Sequence, residues 1–277
     1  MELFRKTSLD CSKIITNNYS TSFSLGIRTL HKRFHAPIYA IYGFVRYADE
    51  IVDTFHDFDK AELLARFKAE AYKAIEERIS LNPVLHSFQW VVNEYNIEHE
   101  LIEAFLKSME MDLKKVQYVE ENYNQYIYGS AEVVGLMCLR VFTEGNAQQF
   151  EQLREAACRL GSAFQKVNFL RDIKDDYDER GRVYFPNTSF DRFTAELKKN
   201  IEADIKADFD AAYRGIVRLP EGARMGVYLA YIYYLALFEK IKQLPPQRVL
   251  QERVRVPDNQ KFILLLQTYF RHSFNVL

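Results

Sequence analysis

Residues 38–53, Ile38-Tyr39-Ala40-Ile41-Tyr42-Gly43-Phe44-Val45-Arg46-Tyr47-Ala48-Asp49-Glu50-Ile51-Val52-Asp53, decide the class of fold. Ile38, Ile41, Phe44, Val45, Ala48, Ile51 and Val52, with Phe55 just beyond, make a helix that is apolar nearly all round, as in one buried on most sides. One line of side chains breaks the pattern: Tyr42, Arg46, Asp49 and Asp53. Asp49 and Asp53 are one turn apart, so their carboxylates share a face. Charges on a helix otherwise buried are costly unless they meet opposite charge, water or metal, which implies a wet or metal-filled interior.

The same three- and four-residue spacing runs almost the length of the 277 residues, punctuated by only ten glycines and seven prolines, and no segment sustains a period of two. The spacing predicts an all-α fold with helices at 3–17, 37–55, 59–79, 83–95, 98–117, 122–143, 147–177, 195–213, 222–243 and 258–273. Connections such as Ser80-Leu81-Asn82-Pro83, Thr143-Glu144-Gly145-Asn146 and Pro245-Pro246 are short, so a single domain over residues 1–277 is expected.

Composition bounds the function. Lys and Arg number 37 against 38 Asp and Glu, a net charge of −1, so no global field favours nucleic acid or an anionic membrane, and any polyanion must be held locally. Cys11, Cys138 and Cys158 are odd in number and lack metal-ligand spacing, which reads as reduced thiols in a cytoplasmic protein. The charged stretch Met1–Asp10 has no apolar core of a secretory signal. The longest apolar run, Gly226 to Phe238, carries four tyrosines and is shorter than the roughly 20 residues of a membrane helix. It reads as a buried core helix.

A second acidic pair repeats the first. In the predicted helix 147–177, the apolar stripe Leu153, Ala157, Leu160, Phe164 continues in register as Asn168, Asp172 and Asp176. These three cover about 12 Å of one helix face at roughly 1.5 Å per residue, enough to hold more than one ion. Hard oxygen ligands suit magnesium, with manganese the alternate ion of the same class, and magnesium completes its shell with water and substrate phosphates. Arg46 and Arg171 lie beside the two pairs, and a guanidinium fork fits the oxygens of a departing diphosphate. Taken singly, either motif reads as ordinary ion pairing, Asp176 with Arg180 and Asp178 with Arg182 for example, and Arg171 as a structural partner of its neighbouring carboxylates. Two such motifs on core-facing lines, each with an arginine, favour the functional reading.

The line Tyr128, Ala131, Gly135 and Cys138 offers small side chains that would either leave room for a slender apolar ligand or let helices pack closely. The six histidines form no zinc motif, and no phosphate-binding loop, dinucleotide fingerprint or serine-nucleophile elbow is present.

Three stretches resemble the phytoene and squalene synthases: Tyr19-Ser20-Thr21-Ser22-Phe23-Ser24, Arg46 through Asp53, and Asn168-Phe169-Leu170-Arg171-Asp172 on to Gly181-Arg182-Val183-Tyr184-Phe185-Pro186, with Tyr126 to Ala131 and Gly135 a further match. The resemblance covers nearly the whole chain and implies an isoprenoid-synthase helical bundle around a central cavity. It implies that Asp49, Asp53, Asn168, Asp172 and Asp176 face magnesium. Arg46, Arg171, Gln165, Tyr128 and Tyr42 would lie on or beside diphosphate, and Ser20, Ser22 and Phe23 would belong to a flap over the site. Arg253, in Glu252-Arg253-Val254, resembles a further phosphate-binding arginine, and Tyr233 a tyrosine near the cation. Glu50 stands where many members carry a second Asp and is left out of the metal set.

The implied reaction joins two prenyl diphosphates head to head through a cyclopropylcarbinyl diphosphate. The first choice of product is phytoene from two geranylgeranyl diphosphates, since the chain lacks the C-terminal anchor typical of eukaryotic squalene synthases. Squalene, dehydrosqualene or hydroxysqualene from farnesyl diphosphate is the alternative. Peripheral membrane contact is expected for such oily substrates. A non-catalytic assembly factor on the same fold, or a helical protein binding only calcium, are readings of other classes. The first would be signalled by loss of an aspartate pair, and the second has no need of Arg46 or Arg171.

Overall fold

Helical spacing translates directly into helices. The computed structural model describes residues 1–113, 120–180, 184–186, 193–251, 253–257, 264, 265 and 268, and among these no strand occurs. In order come α1 (Glu2–Tyr19), α2 (Thr21–Arg28), α3 (Lys32–Asp53), α4 (Lys60–Glu77), α5 (Pro83–Tyr95), α6 (His99–Asp112) and α7 (Glu120–Ile127). A π-helical turn, Tyr128–Glu132, leads into α8 (Val133–Phe142), followed by α9 (Ala147–Arg180), α10 (Ala195–Ile216), α11 (Glu221–Lys242) and the short α12 (Pro246–Val249).

Departures from the expected boundaries have local causes. The α2 helix, only eight residues long, starts at an N-cap where the Ser20 hydroxyl accepts from Phe23 N–H at 3.1 Å, and it is too short to show a periodic stripe. Pro37 lies inside α3 rather than at its start, and Lys32 opens the helix behind the His31 cap. Ahead of α5, Asn82 accepts from Val84 N–H at 3.0 Å with Pro83 at the first helical position, the arrangement its sequence calls for. The expected helix 258–273 and the expected end of helix 98–117 fall largely outside the described residues.

Two aromatic-rich cores form. In the first, the Phe44 ring of α3 stacks on Phe88 with centroids 3.8 Å apart, flanked by Phe67 and Phe105, and α1, α3, α4, α5, α6 and α8 converge there. In the second, Phe169 of α9 stacks on Tyr184 at 4.1 Å and meets Tyr126 and Phe185, while Phe209 and Phe238 bring in α10 and α11. Helix α9 is fixed in rotation by ions. Lys166 Nζ donates to Asp208 at 2.7 Å and Asp204 at 2.5 Å, and Arg159 reaches Asp208, which is 1% exposed. Asn168, two residues on, is about 200° further round the helix and is thereby turned towards α11.

Where α6 meets the π turn, Gly129 allows contact: a Cβ there would sit 2.4 Å from the Ala104 carbonyl oxygen and 2.7 Å from Ser108 Cβ. Backbone cannot yield as a flexible side chain does. Gly129→Ala is therefore expected to lower the unfolding free energy by about 2 kcal/mol, as overpacking does, measured by chemical denaturation.

A second lock joins α8 to α6. Arg140 binds Glu98, through Nε at 3.0 Å and through Nη2, with its guanidinium over the Phe150 ring at 3.4 Å. Burial would raise the Glu98 carboxyl, but the Arg140 bonds outweigh it and hold the group below its ordinary value. A depressed carboxyl stabilises above its unfolded pKa and loses that contribution as pH falls through the folded one. Arg140→Met should cost roughly 1 kcal/mol near neutral pH, and the deficit relative to wild type should vanish on acidification in parallel urea titrations.

Candidate active site

The polar line of α3 comes with its partners attached. Arg46 donates through Nη1 to Asp49 and through Nη2 to Glu50 on the next turn, while its guanidinium lies over the Tyr19 ring at 4.3 Å. Its Nε is buried without a hydrogen-bond partner. Tyr42 packs against the Phe23 ring at 5.1 Å with Ser20 beside it, so the α1–α2 corner lies against this face of α3. Burial pushes the Tyr42 hydroxyl up, Arg46 draws it down and Asp49 raises it again. Ser22 is half-buried at the start of α2, and Asp53 is half-buried at the last position of α3.

On α9 the second line is as well furnished. Arg171 chelates Asp172, through Nε at 2.9 Å and through Nη2. Burial works against the Arg171 charge, but the Asp172 carboxylate overrides it and the guanidinium stays firmly protonated. Arg253 adds Nε at 2.8 Å to the same Asp172 and reaches towards Asp175 at 3.9 Å. It is carried by an extended strap, pinned by the buried Val254 and Val256 and by Lys240 Nζ donating to the Arg255 carbonyl at 2.6 Å. Asp176 is 4% exposed. Gln165 is half-buried on the same helix, one position before Lys166.

Helix α11 packs on the second line. Tyr234 donates to Asn168 Oδ1 at 3.3 Å, stacks on Phe164 at 4.0 Å, and meets Tyr233 edge-on at 5.6 Å. Burial raises its hydroxyl and Arg171 lowers it. Tyr234 in turn contributes to raising the Tyr42 hydroxyl of the first line.

One residue beside the site escaped the sequence reading: Tyr234 carries no signal beyond its neighbour Tyr233 in a tyrosine-rich run. Tyr19 opens the first stretch that carries the family resemblance, and its place under Arg46 is what the structure adds. Tyr128 begins the π turn. It is 36% exposed and lines two outward grooves, one of about 570 Å³ with Arg154, Cys158 and Arg159, the other of about 450 Å³ with Tyr72 and His99. The π turn that starts at Tyr128 adds a residue to one turn, so the expected line Tyr128, Ala131, Gly135, Cys138 does not stay on one face. Cys138, by contrast, is half-buried against the first core, and desolvation pushes its thiol up to about 12.

Among the described residues no three His, Cys, Asp or Glu side chains gather closely enough to hold an ion unaided, and no helix is long and apolar enough to cross a membrane. Removing the Tyr234 hydroxyl takes a partner from the half-buried Asn168 amide oxygen. Tyr234→Phe is expected to cost about 1 kcal/mol of stability in denaturant titrations, with the helical circular dichroism unchanged.

The sequence model described as Squalene/phytoene synthase matches residues 16–260. Phytoene synthase 1, chloroplastic, of Zea mays is 26% identical over 86% of this chain and 62% of its own length. The 4,4'-diapophytoene synthase of Staphylococcus haemolyticus is 24% identical over 70% of this chain and 67% of its own. The chain spans less than two thirds of the chloroplastic relatives it matches. A crystal structure of a dehydrosqualene synthase in complex with ligand superposes with a TM-score of 0.80 at 20% identity, covering 98% of both chains, which establishes a shared fold. A match that takes in α2 through α12 and every residue of both acidic faces leaves one assignment: the chain belongs to the squalene/phytoene synthase family.

Proposed function

We propose that the protein joins two molecules of a prenyl diphosphate head to head, with geranylgeranyl diphosphate as substrate and phytoene as product in carotenoid biosynthesis. The observation that supports this reading is the pair of acidic helix lines, one on α3 and one on α9, each with arginine already on its carboxylate. The relatives named as phytoene synthases support the choice of product. Farnesyl diphosphate, giving the shorter C30 hydrocarbons, is the second reading, supported by the relative named 4,4'-diapophytoene synthase.

The donor set fits magnesium or manganese. Asp49, Asp53, Asn168, Asp172 and Asp176 offer only hard oxygen atoms, and magnesium bound through one or two carboxylates and completed by phosphate and water needs no closed protein cage. When bound, the ion supplies positive charge that neutralises a diphosphate as it departs. The chain's own groups do the rest. Arg46, Arg171 and Arg253 give a diphosphate planar forks of N–H donors, strongest as charge builds on the leaving oxygen. As the C–O bond of the first substrate breaks, the allylic cation is captured by a double bond of the second, a proton is lost and a cyclopropylcarbinyl diphosphate forms. Its own ionisation, ring opening and loss of another proton yield a conjugated triene, unless hydride from NADPH intervenes to give squalene. Tyr233, Tyr234, Phe164 and Phe23 present aromatic faces beside this region, suited to a passing cation and to exclusion of water. Oily substrates and product make contact with a bilayer surface part of the same reading.

Incubating the purified protein with magnesium and either geranylgeranyl or farnesyl diphosphate, with and without NADPH, is expected to give phytoene from the former without NADPH. Asp49→Ala and Asp172→Ala are each expected to reduce turnover below detection while the helical circular dichroism stays as in wild type. Wild-type rates in both variants would remove the metal assignment, and a fold with no product from either substrate would favour an assembly factor.

A further inference from the structure

Arg46 raises a problem of geometry. With Nη1 on Asp49 it cancels the charge of a carboxylate that the proposed function needs for metal, and once Asp49 turns to an ion the guanidinium loses that hold. Two other contacts keep it in place. Nη2 is bound by Glu50, and the flat face rests on the Tyr19 ring at 4.3 Å. Tyr19 and Thr54 lie beside the Glu50 carboxylate. Glu50 is thus placed against both the guanidinium and the residue beneath it. Arg46 Nε meanwhile is buried with no partner, a donor with nothing yet to donate to. Tyr19 itself is half exposed at the end of α1, so core packing does not explain it. Its neighbour Ser20 lies beside Tyr42, so one two-residue corner abuts two side chains of the α3 line, Tyr42 and Arg46.

We propose that Tyr19 and Glu50 are positioning residues that hold the Arg46 guanidinium flat and ready, so that its Nη1 and Nε donate to a diphosphate when Asp49 is engaged elsewhere. This rests on the diphosphate reading above and adds to it two residues outside the metal set. The arginine is then pre-ordered before substrate arrives, and the entropy of fixing a long side chain is not charged against binding. The ring contributes its negative face to the cation, and the carboxylate fixes the rotation of the planar guanidinium about the Cδ–Nε bond.

The test is calorimetric titration of the full chain with inorganic pyrophosphate in magnesium, using wild type, Tyr19→Leu, Tyr19→Phe, Glu50→Gln, Arg46→Met and the double variant Tyr19→Leu/Arg46→Met, each checked by thermal unfolding. Tyr19→Leu, which keeps bulk but removes the π face, should weaken pyrophosphate binding about five- to tenfold, and Glu50→Gln comparably. Tyr19→Phe should stay within about threefold of wild type. In the Arg46→Met background, Tyr19→Leu should have no further effect, because its action runs through the guanidinium. In turnover assays the Tyr19→Leu loss should appear in kcat/KM and be absent in the Arg46→Met background. Pyrophosphate binding unchanged in Tyr19→Leu, a Tyr19→Phe loss as large as that of Tyr19→Leu, or an additive double variant would each overturn the proposal. Failure of wild type to bind pyrophosphate at all would instead sink the diphosphate reading beneath it.

Discussion

Carboxylates inside a helical bundle must find positive charge, and the rest of this structure is arranged around that requirement. Asp49 and Glu50 are met by Arg46, and Asp172 by Arg171 and Arg253. Each guanidinium needs its own support, so aromatic rings and tyrosine hydroxyls crowd the same space: Tyr19 under Arg46, Tyr234 beside Arg171. Burying charge in this manner is a poor source of stability but a strong source of specificity, since removing one partner leaves the other exposed to a low dielectric. Such a centre is poised to exchange internal cations for a polyanion and its counterions.

Helix existence was legible because residues such as Ile38, Ile41, Phe44 and Ile51 repeat over more than one window of periodicity, and because Asn82-Pro83 and Thr194 mark starts by their own chemistry. What failed was local. Short α2 and α12 offer no room for a stripe, and Pro37 is a start signal that tertiary contact overrode, as α3 gains another turn once packed. Both acidic lines were readable for a simple reason: a carboxylate in an apolar register is an anomaly that spacing alone exposes.

Partnership between distant segments was not readable. That Tyr42 on α3 should sense Tyr234 on α11, or that Tyr19 should support Arg46, depends on crossing angles and rotations that no single helix encodes. Lys166, Asp204 and Asp208 show how such rotations are set, through an ionic lock between α9 and α10 whose members look like ordinary surface charges in the sequence. Tyr128 begins a single wide turn at 128–132, a departure from 3.6 residues per turn that spacing does not announce.

The strap that delivers Arg253 has a consequence for how the protein is made. Helices α3 and α9, with their carboxylates, leave the ribosome well before residue 253, and domains gather structure as they emerge. A nascent chain that has folded that far holds Asp172 with only Arg171 opposite it, because its second cation has yet to be translated. Maturation of the pocket is therefore a late event, completed when Val254 and Val256 drop into their sockets and Lys240 catches the passing carbonyl of Arg255.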